Sequence, residues 1–191
     1  VRTRQDLEAA AAALRQANAR LEELSTTDAL TALANRRRFD ARLAEEVQRA
    51  HRHGTELGLL MVDIDHFKRY NDLLGHPQGD VALQAVAAVL AQQARRPGEL
   101  VARFGGEEFA LLLPHASRSS AATVAERCIA MATLALPHSA SPTAAHVTLS
   151  IGVALLDAQG RQDGAAFVRR ADAALYAAKA AGRARSVIDE S

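Results

Sequence analysis

Residues 57–64, LGLLMVDI, and residues 103–113, RFGGEEFALLL, decide the fold. The first is a short, almost unbroken apolar run that ends in acids, the pattern of a strand buried on both faces. The second divides in two. Val101 to Phe104 and Phe109 to Leu113 are apolar and are separated by Gly105, Gly106, Glu107 and Glu108, which reads as a hairpin closed by a glycine turn. Strands joined by a hairpin are antiparallel neighbours, so the sheet that holds them is not all parallel.

Outward from these strands the chain alternates. A helix is predicted from about Arg36 to His53, with Phe39, Leu43 and Val47 on one face and Gly54 as its stop. Another runs from about Gly79 to Arg95 and a third from Ser117 to Leu134. His146 to Leu155 reads as a strand with alternating faces, Ala165 to Ala181 as an alanine-rich helix closed by Gly182, and Pro137 to Ala145 as a surface loop. Strands alternating with helices give an α/β (α+β) class, a central mixed sheet flanked by helices. At the amino terminus Leu7, Leu14 and Leu21 recur at heptad spacing, with Ala10, Ala17 and Leu24 at the second seam position. Residues 1–24 are therefore read as a helical extension, either a parallel coiled coil or a helix packed on its own domain. Ser25, Thr26, Thr27 and Asp28 break that pattern and open a globular domain over 25–191.

Composition removes several classes of function. With 191 residues, 49% of them hydrophobic, the chain can bury one full core. A net charge of +1 without a long basic run lacks the footprint of a general nucleic-acid binder, and no nucleic-acid partner is expected. Cys128 is the only cysteine, which excludes an internal disulfide and a zinc cluster built on cysteine. No apolar run approaches the roughly 20 residues needed to cross a bilayer, and the first residues are polar, so a cytoplasmic location is expected. The chain opens at Val1 and is read as a fragment whose upstream sensory or transmembrane region is absent.

The chemistry sits where the strands end. Asp63 and Asp65 close the buried run, and Glu107 and Glu108 follow two glycines, which let a bulky ligand approach the main chain. If the strands are neighbours, Asp63 and a hairpin glutamate share hard divalent cations, as phosphoryl or nucleotidyl transfer requires. On spacing alone the same acids also suit a strand-end cap and a solvated turn. Lys179 and Arg183 are four apart on the last predicted helix, hence on one face, where two cations suit a triphosphate. Asn71 and Asp80 follow the acidic strand, and a carboxylate accepts from both donors of a guanine edge; either residue also suits a turn or a cap.

Five segments carry a resemblance: DALTALANRRRFD from Asp28, DIDHFKRYNDLLGHPQGD from Asp63, RFGGEEF from Arg103, SIGVA from Ser150 and ADAALYAAKAAGR from Ala171. In this order they resemble the GGDEF-domain diguanylate cyclases, here in a GGEEF variant, from about Ser25 to the end. The resemblance implies a nucleotidyl-cyclase palm and condensation of two GTP into cyclic di-GMP with release of two pyrophosphates. It implies Asp63, the carbonyl of Ile64 and Glu107 as ligands of Mg²⁺ or Mn²⁺, two per active site, with Glu108 in support. Lys68, Lys179 and Arg183 would neutralise the triphosphate, the backbone at His66 and Phe67 would contact phosphates, and Asn71 and Asp80 would read guanine. Asp28 and Arg37 look structural. Because each site of the family holds one GTP while the product is two-fold symmetric, a homodimer is implied.

Three departures from the family pattern stand out. Ala32 replaces the usual glycine of the L-T-G-L turn, and Ala184 stands where asparagine is common. Arg96-Pro97-Gly98-Glu99 occupies the place of the family's product-inhibition motif, with glutamate for aspartate, and Arg127 stands where a secondary product contact is implied. Two other readings compete: a catalytically silent binding module, and a cyclase making a mixed purine dinucleotide. Intact Asp63, Glu107 and Asp80 argue against the first, and the presence of Asp80 argues against the second.

Overall fold

The computed structural model describes residues 26–135, 137, 138, 141, 145–156 and 163–190. The expected extension over 1–24 lies outside them. Helix α1 (Arg36–His53) starts at Asn35, whose side chain accepts from the Arg38 amide at 3.0 Å, and ends at Gly54 in the left-handed region. His51, Arg52 and His53 fill its last turn, where cations complement the helix dipole. Strand β1 (Leu57–Ile64) follows, buried along its whole length.

The sheet is completed by β2 (Leu100–Gly105), β3 (Glu108–Pro114), β4 (Leu149–Leu156) and β5 (Ser186–Ile188), in the order β2-β3-β1-β4-β5. β1 pairs antiparallel with both neighbours, and β4 with β5 is the parallel pair. Between the strands run α2 (Phe67–Leu74), α3 (His76–Ala91), α4 (Arg118–Ala135) and α5 (Gly164–Ala180). Side chains alternate along β1. Leu60, Val62 and Ile64 join Phe109, Leu111 and the helices α2, α3 and α4, while Leu57, Leu59 and Met61 join Phe39, Leu43, Phe167 and Leu175 of α1 and α5. Each large apolar side chain buried this way contributes about 1.5–3 kcal/mol.

The two helix layers explain where expectation and structure part. β4 is buried along nearly its whole length rather than alternating, because helices cover both faces of the sheet. The helix expected over 79–95 is α3, which starts three residues earlier at His76, with Pro77 in its first turn where a missing amide is harmless, and ends at Ala91; α2 before it was not expected, and Gly75, at φ 84, separates the two. The expected surface loop carries a buried residue, His138, whose ring stands edge-on to Tyr70 at 5.0 Å. Tyr70 in turn stacks on Phe67 of the same helix, and both rings are buried in the core that α2 shares with the sheet. Lys179 and Arg183 do not share a helical face, since α5 ends at Ala180 and Arg183 adopts φ 63 beyond it.

Candidate active site

Antiparallel pairing fixes the acids. Asp63 lies opposite Glu108 on one side and Ser150 on the other, and the Ile64 amide donates to the Glu107 carbonyl at 3.4 Å. The hairpin turn is thereby drawn to the end of β1. Asp63 is 7% exposed, and burial pushes its carboxyl from 3.8 up to about 6, with the charges of Glu107 and Glu108 adding to the rise. Lys179, whose Nζ donates to Asp63 Oδ2 at 2.7 Å, opposes the shift without cancelling it.

Asp65, to which the sequence reading gave no role, is a structural anchor. Its carboxylate accepts from Thr148 Oγ1 at 2.8 Å, Ser150 Oγ at 2.6 Å and the Ala184 amide at 3.1 Å. One buried charge thus ties the end of β1 to β4 and to the loop after α5, and with three donors it is satisfied where it stands. That loop holds Arg183, whose charge joins burial in keeping the His66 imidazole below its ordinary range. His66 itself adopts φ 57 and starts α2, so its backbone and that of Phe67 lie at a helix amino terminus.

Asn71 is half-buried, and its Oδ1 has no hydrogen-bond partner, an acceptor held ready without a donor. It fits only because residue 79 is glycine: a Cβ there would overlap Asn71 Oδ1 and press on its Cγ. Sequence reading singled out Asn71 but missed Gly79, since a close approach between two helices leaves no local signature. Asp80, one residue on, is exposed on α3, and Lys68 is exposed on α2. The structure therefore gathers Asp63, Ile64, Glu107, Glu108 and Lys179 around one strand end, with Asn71 and Gly79 in contact nearby.

The remaining candidates lie elsewhere. Arg96, Glu99 and Arg127 line a cavity of about 330 Å³ together with Gln93, Leu113 and Val124. Leu113 is five positions along β3 from Glu108, roughly 17 Å at strand rise, so this cavity opens at the other end of the sheet.

The donor set suits a hard divalent cation. Its carboxylates offer only oxygen, burial with the added charges of Glu107 and Glu108 raises Asp63, and an ammonium already stands on Asp63 Oδ2. Among the described residues no three His, Cys, Asp or Glu side chains form a closed cage. A Mg²⁺ ion that shares its shell with substrate phosphates needs only one or two carboxylates from the protein.

Residues 25–185 match the family described as diguanylate cyclase, GGDEF domain. The chain belongs to that family. It is 44% identical over 159 residues to the diguanylate cyclase DgcP of Pseudomonas aeruginosa, a match covering 83% of this chain and 23% of that one. The chain thus spans about a quarter of that curated relative. It is similar to the coiled coil and GGDEF domain of DgcB from Caulobacter crescentus, solved in complex with c-di-GMP, at TM-score 0.79 and 36% identity, covering 96% of this chain and 95% of that one. The active GGEEF domain of a diguanylate cyclase from Vibrio cholerae superposes at TM-score 0.73 with 33% identity, covering 83% and 99% of the two chains. In this GGDEF domain no helix of the described residues is long and apolar enough to cross a membrane.

Proposed function

We propose that this GGDEF domain is a diguanylate cyclase module that condenses two GTP into cyclic di-GMP with release of two pyrophosphates. The observation that carries the reading is the convergence of Asp63, Glu107 and Glu108 at one strand end, with Lys179 on Asp63. The relatives that share the fold, DgcP and the Vibrio cholerae domain among them, bear the same activity in their names.

Asp63, the Ile64 carbonyl and Glu107 hold Mg²⁺ or Mn²⁺, two per active site, and Glu108 supports the cluster from the opposite strand position. Bound there, the ions supply Lewis-acid activation of a 3′-hydroxyl and stabilise charge at the α-phosphate. The amides at His66 and Phe67, at the start of α2, take phosphate oxygens. Lys68, Lys179 and Arg183 would neutralise the triphosphate, Lys179 from its place beside Asp63. Asn71 Oδ1 and the Asp80 carboxylate accept from the guanine donors, and adenine offers no such edge.

One chain supplies half of the reaction. Two GTP-loaded domains must face each other to close two equivalent phosphodiester links, so the working unit is a homodimer. Residues 1–24, read as a coiled coil, would raise the effective concentration of one domain at the other; the family match starting at residue 25 and a relative solved as a coiled coil with a GGDEF domain support that reading. Arg96, Glu99 and Arg127 form the candidate product site.

Incubating the protein with Mg²⁺ and GTP, ATP or both, then separating the products by chromatography, tests the proposal. Cyclic di-GMP from GTP alone, unchanged by ATP, is the expected result. A mixed guanine–adenine product would contradict the guanine-reading roles of Asn71 and Asp80.

A further inference from the structure

The hairpin turn that carries Glu107 has little of its own to hold it. A Cβ at Gly105 or Gly106 would meet no atom within 4 Å, and the β2–β3 register shifts between Arg103 and Gly105. Glycines in such a turn leave many backbone conformations open. Something else must select one.

Arg103 is that element. Its Nε and Nη2 both donate to the Gly106 carbonyl, at 2.9 and 2.8 Å, while Nη1 lies 3.3 Å from each carboxylate oxygen of Asp28. The planar guanidinium serves both partners with donors on three nitrogens held in one rigid fork, a geometry that the single nitrogen of an ammonium does not reproduce. Asp28 is itself fixed by the Thr31 amide at 2.9 Å and the Thr31 hydroxyl at 2.7 Å. Burial works against its charge, but Thr31 and Arg103 outweigh burial and hold its carboxyl below the ordinary range. The Arg103 backbone is secured as well, its amide donating to the Ala34 carbonyl at 2.9 Å.

The geometry bears on Glu107. The Gly106 carbonyl belongs to the peptide unit before the Glu107 Cα, and the Glu107 carbonyl, which accepts from Ile64, belongs to the unit after it. With both peptide planes held, φ and ψ of Glu107 are set, and with them the direction of its Cβ. We infer that Arg103 is a positioning residue, which fixes the Glu107 carboxylate for metal through the Gly106 carbonyl and is braced by Asp28. The inference rests on Glu107 being a metal ligand.

Mn²⁺ titration, followed by the electron paramagnetic resonance signal of the free ion in the presence of a non-hydrolysable GTP analogue, tests it without turnover. Arg103→Gln should weaken Mn²⁺ binding by about 10-fold or more, the range for residues that orient a metal ligand, with Arg103→Lys in between. Affinity for the analogue at saturating Mn²⁺ and the melting temperature should stay near the parent's. Asp28→Asn should give a smaller loss in the same direction, and it carries the test with Arg103→Lys if Arg103→Gln does not fold. Glu107→Gln separates the two claims. Loss of Mn²⁺ binding in Glu107→Gln with parent-like binding in the Arg103 variants overturns the positioning role alone. Parent-like binding in Glu107→Gln overturns the metal assignment itself. An equal loss of metal and analogue affinity in the Arg103 variants would show general damage and also contradict positioning.

Discussion

Lys179 Nζ stands 2.7 Å from Asp63 Oδ2 at the end of a strand with no exposed residue. Even with that ammonium in place, burial and the neighbouring glutamates hold the Asp63 carboxyl up at about 6. The domain therefore maintains a charge that its own fold disfavours, as is common where a site is built for a ligand. Because the folded value is raised, Asp63 favours folding only when protonated. That contribution is present below about pH 4 and is lost as pH rises through about 6. Asp63→Asn should then stabilise the ligand-free protein by about 1–3 kcal/mol near pH 7.5, with the difference fading near pH 4. Urea denaturation of both proteins at the two pH values measures this, and a less stable variant near pH 7.5 would refute it.

The proposed guanine-reading residues, Asn71 and Asp80, sit on two helices that meet where Gly79 faces Asn71. Gly79→Ala should drive the Asn71 side chain from its place and raise the KM for GTP with a smaller effect on kcat. Asp80→Ser should lower the preference for GTP over ATP by about 1–3 kcal/mol, since an acceptor for two donors is lost. Competition assays that return the parent's preference would place guanine recognition elsewhere.

Glu99 is committed to its own turn. Its Oε2 accepts from the Arg96 amide at 2.8 Å, and its amide donates to the Arg96 carbonyl at 3.1 Å. If the adjacent cavity is the product site proposed above, the product must compete for that carboxylate. Glu99→Asp, with a shorter reach, should bind cyclic di-GMP more tightly by about 1 kcal/mol. Calorimetric titration decides; equal or weaker binding would show that glutamate already serves the site.

Ala32 adopts φ 58, a conformation that disfavours a Cβ, and it is exposed, so its methyl group has little packing to lose. Ala32→Gly should raise stability by about 1 kcal/mol, read as a higher denaturation midpoint. A drop in the midpoint would mean that the added chain freedom of glycine outweighs the relieved strain.

Deleting residues 1–24 should lower specific activity mainly at low protein concentration, because the residues at the strand end are untouched. Loss equally severe at every concentration would contradict a role in dimerisation.

What the sequence disclosed follows from range. β1 and the hairpin were legible because burial on both faces and a glycine turn are local patterns, and α1 was legible to its last residue because an apolar face and Gly54 mark it. The acids at the strand end came with them. Hidden were relations that only packing creates: the three donors on Asp65, the space that Gly79 leaves for Asn71, and the reach of Arg103 to Gly106. The departures at Ala32 and Ala184 were visible as letters, but their cause was not. Both residues adopt positive φ, which glycine and asparagine tolerate better than alanine.

The most direct measurement counts products. Supplied with GTP and Mg²⁺, the protein should release two pyrophosphates for each cyclic di-GMP identified by mass and elution, and Glu107→Gln, folded to the same melting temperature, should release neither, because its amide is a poor ligand where catalysis is mostly electrostatic. GTP recovered intact, or converted to GDP and phosphate, would contradict the assignment of this domain as a diguanylate cyclase.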